Sequence, residues 1–131
     1  MHKILLIEDD PVILQMYQDK FVVEGFTVET ATDGETGINK MRSFLPDVVL
    51  LDLLLPEQSG FDVLKFVKAD PQLQHVPIII LTNAHADSAG MIQDWGVVAL
   101  LMKAETTPQE VVSKVREFLP KPQPPLQSAE N

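Results

Sequence analysis

Four short runs that are apolar at nearly every position constrain this chain most: KILLI (3–7), DVVLL (47–51), VPIIIL (76–81) and VVALLM (97–102). A strand that is apolar throughout, rather than alternately, has to be covered on both faces, as in a parallel sheet. A fifth run, FTVETA (26–31), alternates as a strand with one covered face does. The segments between carry helix signals. Over residues 11–25, Asp10 is placed to cap, Pro11 sits at the first helical position and Gly25 closes the helix. Asp33 and Gly34 turn into a second helix, with Ile38, Met41 and Leu45 on one side. A loop with Pro56 and Gly60 leads to a short helix from Phe61, and residues 86–95 predict a weak one because Gly90 interrupts it. Residues 107–119 give the clearest helix: Thr107 and Glu110 make a capping box, and Val111, Val112, Val115, Phe118 and Leu119 recur at helical spacing. Strands alternating with helices imply right-handed crossovers and an α/β domain with a five-stranded parallel sheet.

A length of 131 residues fits one domain with a proper core. The tail PKPQPPLQSAEN (120–131) holds four prolines in residues 120–125, which ends the last helix and predicts a disordered or extended tail, or the start of a linker. There are 19 acidic against 10 basic residues, a formal charge of −9, with no Lys/Arg cluster. That balance argues against direct binding of nucleic acid and favours cations, whether metal ions or basic partners. The absence of cysteine excludes disulfides and thiolate metal sites. No apolar run approaches the length of a membrane span. Ile4–Ile7 is too short for a signal peptide and runs into three acids, so a soluble cytoplasmic chain is expected.

The polar residues have a pattern of their own. Glu8, Asp9 and Asp10 follow the first strand, Asp52 follows the third, Thr82 ends the fourth and Lys103 follows the fifth. Each lies at the carboxyl end of its strand, the edge where open α/β sheets bind ligands at the switch in strand order. In the order 2-1-3-4-5, strands 1 and 3 are neighbours, so Asp9 and Asp52 face each other there. Taken singly, Asp52 could cap a turn, Thr82 could be an ordinary strand residue and Lys103 a solvated lysine. Asp10 reads as a helix cap.

With LLIEDDP, VVLLDLLLPEQSG, PIIILTN and LLMKAETTPQEV in this order, the chain resembles the receiver domain of two-component response regulators over about residues 2–119. The resemblance implies a receiver domain over 1–119 with the flavodoxin-like, CheY-like three-layer fold. It implies Asp52 as phosphoacceptor, Thr82 as switch hydroxyl and Lys103 as the lysine that pairs with the phosphoryl group. It implies Mg²⁺ held by Asp9 directly, Glu8 largely through water, Asp52, and the backbone carbonyl of Leu54. The chemistry agrees: a carboxylate can attack phosphorus, clustered carboxylates repel until a hard dication relieves them, and phosphoryl transfer needs charge neutralisation.

The chain departs from the family pattern at Ala104, where proline usually follows the lysine, at Leu100, where an aromatic is usual, and at Asn83, where a smaller residue is usual. Without proline, a cis bond after Lys103 costs about 2.5–4 kcal/mol, so trans is expected. The rotating-aromatic switch cannot operate from Leu100. The resemblance implies that the side chains two positions after the phosphoacceptor and two after the switch threonine, here Leu54 and Ala84, border the path of a hydrolytic water; neither can orient one, which predicts slow self-dephosphorylation. His85 reads as a solvated loop residue and Trp95 as packing under the fourth helix.

The expected function is a stand-alone receiver, not a conventional enzyme but one that catalyses its own phosphorylation. It takes its phosphoryl group from a histidine kinase or phosphotransfer protein and signals to a partner protein through the face made by the fourth helical segment, the fifth strand and the last helix. The alternative is a pseudo-receiver that binds partners without phosphorylation, supported by Leu100 and Ala104. An aspartyl phosphatase would want a second catalytic acid just after Asp52, which DLLLP lacks. A flavin carrier would want a glycine-rich phosphate loop where EDDP stands.

Overall fold

The computed structural model of the chain describes residues 2–57, 59–83, 90 and 94–119. Strands β1 (Lys3–Ile7), β2 (Thr27–Ala31), β3 (Val48–Leu51), β4 (Ile78–Thr82) and β5 (Ala99–Met102) form one parallel sheet in the order β2-β1-β3-β4-β5. Helices α1 (Pro11–Val23), α2 (Gly34–Phe44), α3 (Gly60–Ala69) and a C-terminal helix (Pro108–Glu117) cover it. The helix expected over 86–95, apart from Gly90, Asp94 and Trp95, lies outside the described residues, as do Ala84, His85 and the tail 120–131. Among the described residues no helix is long and apolar enough to cross a membrane.

The apolar runs work as strands because alternate residues feed two separate cores. Leu5, Ile7, Val49, Leu51, Ile78 and Ile80 pack with Met41 of α2 and Val63, Leu64 and Val67 of α3. Ile4, Leu6, Val48, Leu50, Ile79 and Leu81 pack on the other side with Leu14, Tyr17 and Phe21 of α1 and Val111, Val112 and Val115 of the C-terminal helix. Removing each such side chain from water is worth about 1.5–3 kcal/mol, so neither face can be left uncovered.

The ends of the helices follow from their sequence. The Asp10 carboxylate accepts from the amides of Val12 (2.9 Å) and Ile13 (3.3 Å), capping α1 with Pro11 at its first position. Gly25 then takes φ of 94°, a left-handed conformation that costs glycine little. The capping box of the C-terminal helix is present, Thr107 and Glu110 each accepting from the other's backbone amide.

Two expectations need correction. Leu45 does not share the buried side of α2 with Met41. It is the residue that ends the helix, at φ 52° and 57% exposed, because Pro46 disfavours the helical region for the residue before it. Nor does β2 alternate cleanly. Thr27 is exposed, Val28, Glu29 and Thr30 are half-buried and Ala31 is buried, as befits an edge strand paired only with β1. The Lys103–Ala104 bond is trans as expected, since no cis peptide occurs among the described residues, and Lys103–Glu105 forms a single 3₁₀ turn.

One contact ties the helical layer to the end of β3. Gly60, the first residue of α3, donates its amide to the carbonyl of Leu53 (2.9 Å). A Cβ at Gly60 would lie 2.5 Å from the carbonyl oxygen of Asp52 and 2.7 Å from Cα of Leu53, both backbone atoms that cannot swing aside. Gly60→Ala is therefore expected to destabilise the protein by about 1–3 kcal/mol, the range for overpacking. Urea denaturation checks this, and a loss below about 0.5 kcal/mol, the range for a surface substitution, would mean that the two backbones have slack.

Candidate functional site

The register of the sheet decides which side chains meet. Ile4 pairs with Val48 and Leu6 with Leu50, and the ladder continues with the Asp52 amide donating to the carbonyl of Ile7 (3.0 Å). Two residues further along each strand stand Glu8 and Asp52, on the same side as Leu6 and Leu50. Thr82 pairs with Met102, which leaves Lys103 as the next residue beyond β5. Four strand ends thus deliver Glu8, Asp52, Thr82 and Lys103 to one point.

All but the lysine are buried: Glu8 is 7% exposed, Asp52 4% and Thr82 0%. Asp52 is well partnered. Its Oδ1 accepts from the Thr82 hydroxyl (2.7 Å) and from the Leu54 amide (3.1 Å), and its Oδ2 accepts from the Lys103 ammonium (2.8 Å). The same ammonium bonds Glu8 Oε1, while Glu8 Oε2 accepts from the Asp10 amide (3.1 Å). A charge inside an apolar surrounding is tolerated only when paired and hydrogen-bonded, and here one cation serves two buried carboxylates.

That sharing shows in the acidities. Burial pushes the Glu8 carboxyl above its usual range; the Lys103 bond and the Asp10 amide pull it down, and the negative charge of Asp52 adds to the rise. For Lys103, burial works to lower the value, but the bonds to Asp52 and Glu8 outweigh it and hold the ammonium above its ordinary pKa. The lysine therefore stays charged, and Glu8 carries mainly the cost of its burial, which the shared lysine does not fully offset.

The site also fits a metal. One carboxylate oxygen each from Glu8, Asp9 and Asp52 lies within 4.8 Å of the others, with Asp9 exposed at the rim. Hard oxygen donors, acid-rich and open to water on one side, suit Mg²⁺, which keeps several waters and takes a few carboxylates. A dication would also relieve the surplus negative charge that Lys103 alone does not balance.

The sequence-predicted residues Glu8, Asp9, Asp52, Thr82 and Lys103 come together as expected. Leu54 stands on the rim with its side chain 58% exposed, its amide turned to Asp52. Asp10 serves as the cap of α1. Two neighbours went unanticipated. Tyr17 is buried on α1 and, with Leu14, lines a cavity of about 10 Å³ beneath Glu8 and Asp52, room for no more than one water. Burial raises the Tyr17 phenol, Lys103 opposing and Glu8 adding to the rise. Its place could have been read from the spacing of Leu14, Tyr17 and Phe21, which puts all three on one side of a helix. The second is Gly60, whose contact with Asp52 is a backbone matter that no side-chain pattern announces.

The family model described as response regulator receiver domain matches residues 4–116. The chain belongs to the response regulator receiver family. This places it in two-component signalling. Among related receivers, it is 35% identical over 119 residues to the DNA-binding response regulator MtrA of Mycolicibacterium smegmatis, covering 89% of this chain and 50% of MtrA. To the response regulator PleD of Caulobacter vibrioides it is 34% identical over 80 residues, 61% of this chain and 18% of PleD. The polar-differentiation response regulator DivK of Brucella anthropi is 26% identical and matched over 94% of its length and 88% of this chain. The receiver thus spans half or less of the length of PleD and MtrA but nearly all of DivK. Among solved structures, the chemotaxis protein CheY4 of Vibrio cholerae superposes with a TM-score of 0.82 at 28% identity, covering 91% of this chain and 99% of that one. A CheY-like receiver domain protein of Methanospirillum hungatei gives 0.80 at 25%, covering 89% and 92%.

Two outcomes follow from the charge balance. Mg²⁺ should raise the melting temperature of the folded protein by mass action, and Asp9→Asn should remove most of that rise. No Mg²⁺-dependent shift in the wild type at saturating metal would contradict the cation site. Without metal, Glu8 binds its proton more tightly when folded than when unfolded. Its protonation therefore stabilises the fold, fully so below about pH 4.5, and the gain is lost as pH rises through the raised folded value. Glu8→Gln should accordingly raise the metal-free melting temperature at pH 7, by roughly 3–5 °C for a gain of the order of 1 kcal/mol. A fall would mean that the Glu8–Lys103 pair outweighs burial.

Proposed function

We propose that this receiver accepts a phosphoryl group on Asp52 from a histidine kinase or histidine phosphotransfer protein, in a Mg²⁺-dependent reaction in the cytoplasm, and signals through a protein partner. The observation that supports this most is the setting of the Asp52 carboxylate: buried, held by Thr82, Leu54 and Lys103, and flanked by two further acids. A carboxylate so fixed is positioned for attack with little entropy left to lose.

In the transfer, an Asp52 oxygen forms a bond to phosphorus while the bond from phosphorus to the donor's imidazole nitrogen breaks, its electron pair staying on the nitrogen. The product is a mixed anhydride, an aspartyl phosphate. Lys103 and Thr82, which donate to Asp52 in the unmodified protein, are within reach of the phosphoryl oxygens once these arrive. Their bonds then pass from the carboxylate to the group that carries the larger charge. Asp9, Glu8, Asp52 and the backbone carbonyl of Leu54 would hold Mg²⁺, Glu8 largely through water, and the ion supplies positive charge for the transferred oxygens. The partner surface is proposed to be the one made by residues 86–95, β5 and the C-terminal helix. With an excess of acid and no basic cluster, the partner is a protein rather than nucleic acid. Leu100 is half-buried against the core, so a rotating aromatic at that position plays no part in the output.

Incubation with acetyl phosphate and Mg²⁺, followed by intact mass, should show a gain of one phosphoryl group in the wild type and none in Asp52→Asn, with Lys103→Ala reduced. Equal phosphorylation of wild type and Asp52→Asn would move the nucleophile elsewhere. No gain in the wild type would favour a receiver fold that binds partners without phosphorylation. The lifetime gives a separate check. Leu54 offers the approaching water only an aliphatic side chain and Ala84 a methyl, so the phosphoprotein should decay slowly. A Leu54→Asn, Ala84→Glu double variant should decay several-fold faster. An unchanged decay rate would show that side-chain positioning of water does not limit the lifetime.

A further inference from the structure

We propose that α3 carries the state of Asp52 to Trp95, making the Phe61–Trp95 ring pair a conformational relay of this receiver. The inference rests on Asp52 being the phosphoacceptor proposed above. It concerns how a change at that residue leaves the site.

The first link is the contact at Gly60. The start of α3 sits so close to the carbonyl of Asp52 and the Cα of Leu53 that a single Cβ would not fit, and the Gly60 amide is bonded to the Leu53 carbonyl. The helix start is fixed in its own right by a capping box, the Ser59 amide donating to Asp62 at 3.1 Å. Backbone in such close contact cannot absorb a shift of residues 52–53 by local slack; the helix has to follow.

The second link is one face of α3. Phe61, Leu64 and Lys68 stand at the spacing that puts side chains in a row along a helix. Trp95 lies along that row. Its ring centroid is 5.7 Å from that of Phe61, with the planes inclined at 58°. Leu64, Val67 and Lys68 wall one groove together with the indole. At the far end the Lys68 ammonium donates to the carbonyl of Asp94 (2.6 Å). A helix of ten residues is about 15 Å long. This one is therefore attached to the Asp52 backbone at its start and to Asp94–Trp95 along its length. Phe61 is the hinge point of the two contacts, adjacent in sequence to Gly60 and adjacent in space to the indole.

The drive for movement is local. Phosphorylation replaces the single charge of a buried carboxylate, whose Oδ1 is bonded to the Leu54 amide, by a bulkier group with three further acceptor oxygens and about one more negative charge. The 52–54 backbone must then readjust to a larger group. A small displacement there becomes a rearrangement of packed rings because a close-packed aromatic contact has few discrete arrangements. Both sites bias the same element, which is the physical condition for coupling.

Trp95 is the sole tryptophan, so its emission reads one place in the molecule. The experiment follows Trp95 fluorescence and intact mass in parallel as acetyl phosphate and Mg²⁺ are added to wild type, Phe61→Leu and Phe66→Leu. Phe66 is the control on the same helix, its ring lying against the Arg42 guanidinium at 4.5 Å. The relay predicts an emission shift in the wild type that grows with the phosphorylated fraction. It predicts loss of most of that shift in Phe61→Leu despite equal phosphoryl gain, and retention in Phe66→Leu. Phosphorylated wild type with unchanged emission, or a full shift in Phe61→Leu, overturns the relay and leaves Asp52 as phosphoacceptor standing. Absence of any phosphoryl gain in the wild type overturns both. A loss of the shift in both variants alike would mean general loosening of α3, and so overturns the specific role of the ring pair.

Discussion

The sharing of one ammonium by two buried carboxylates is the interaction on which the site depends. Lys103 bonds both Glu8 and Asp52, and no part of that arrangement is balanced by itself. Without the lysine, two acids would be buried side by side with no counter-ion, an arrangement that proteins normally resolve by protonating one of them. With it, one negative charge remains in excess. That surplus is the reason a divalent cation fits, and it is relieved further by the Thr82 hydroxyl and the Leu54 amide on Asp52. The acidic edge of the sheet is thus stable enough to fold and unsatisfied enough to attract a cation.

The sheet supplies the precision this requires. In-register pairing of β1 with β3 brings Glu8 beside Asp52, and pairing of β4 with β5 brings Lys103 past Thr82. A one-residue slip in any strand would turn its terminal side chain to the opposite face. The continuous apolar cover on both faces makes such a slip costly everywhere else along the strand. Fold stability and site geometry are therefore enforced by the same residues, and membership of the receiver family agrees with both.

Much of this was legible in the sequence because the physics is local. Runs such as KILLI and IIIL can be little other than buried strands, and a polar residue at the carboxyl end of each has a known place in a parallel sheet. Asp10, Pro11, Thr107 and Glu110 mark helix starts by bonds they make within one turn. What could not be read depends on tertiary placement. Leu45 fits the helical repeat, but its conformation is decided by the proline that follows. The partial burial of β2 follows from its being an edge, a property of strand order rather than of FTVETA. The bond from Lys103 to Glu8 needs a side chain beyond β5 to reach past the ends of β4 and β3 to the end of β1. Gly60 reads as a loop glycine until the backbone of Asp52 is seen pressed against it.

Asp52, just beyond the apolar strand β3, is proposed above to be the nucleophile. Borohydride reduction of the protein after treatment with acetyl phosphate and Mg²⁺ tests this at the level of the single residue, because an aspartyl phosphate is reduced to homoserine while a free carboxylate is not. Peptide mass analysis should find homoserine at position 52 and aspartate at positions 9 and 10. Homoserine at another acid, with Asp52 intact, would contradict the account.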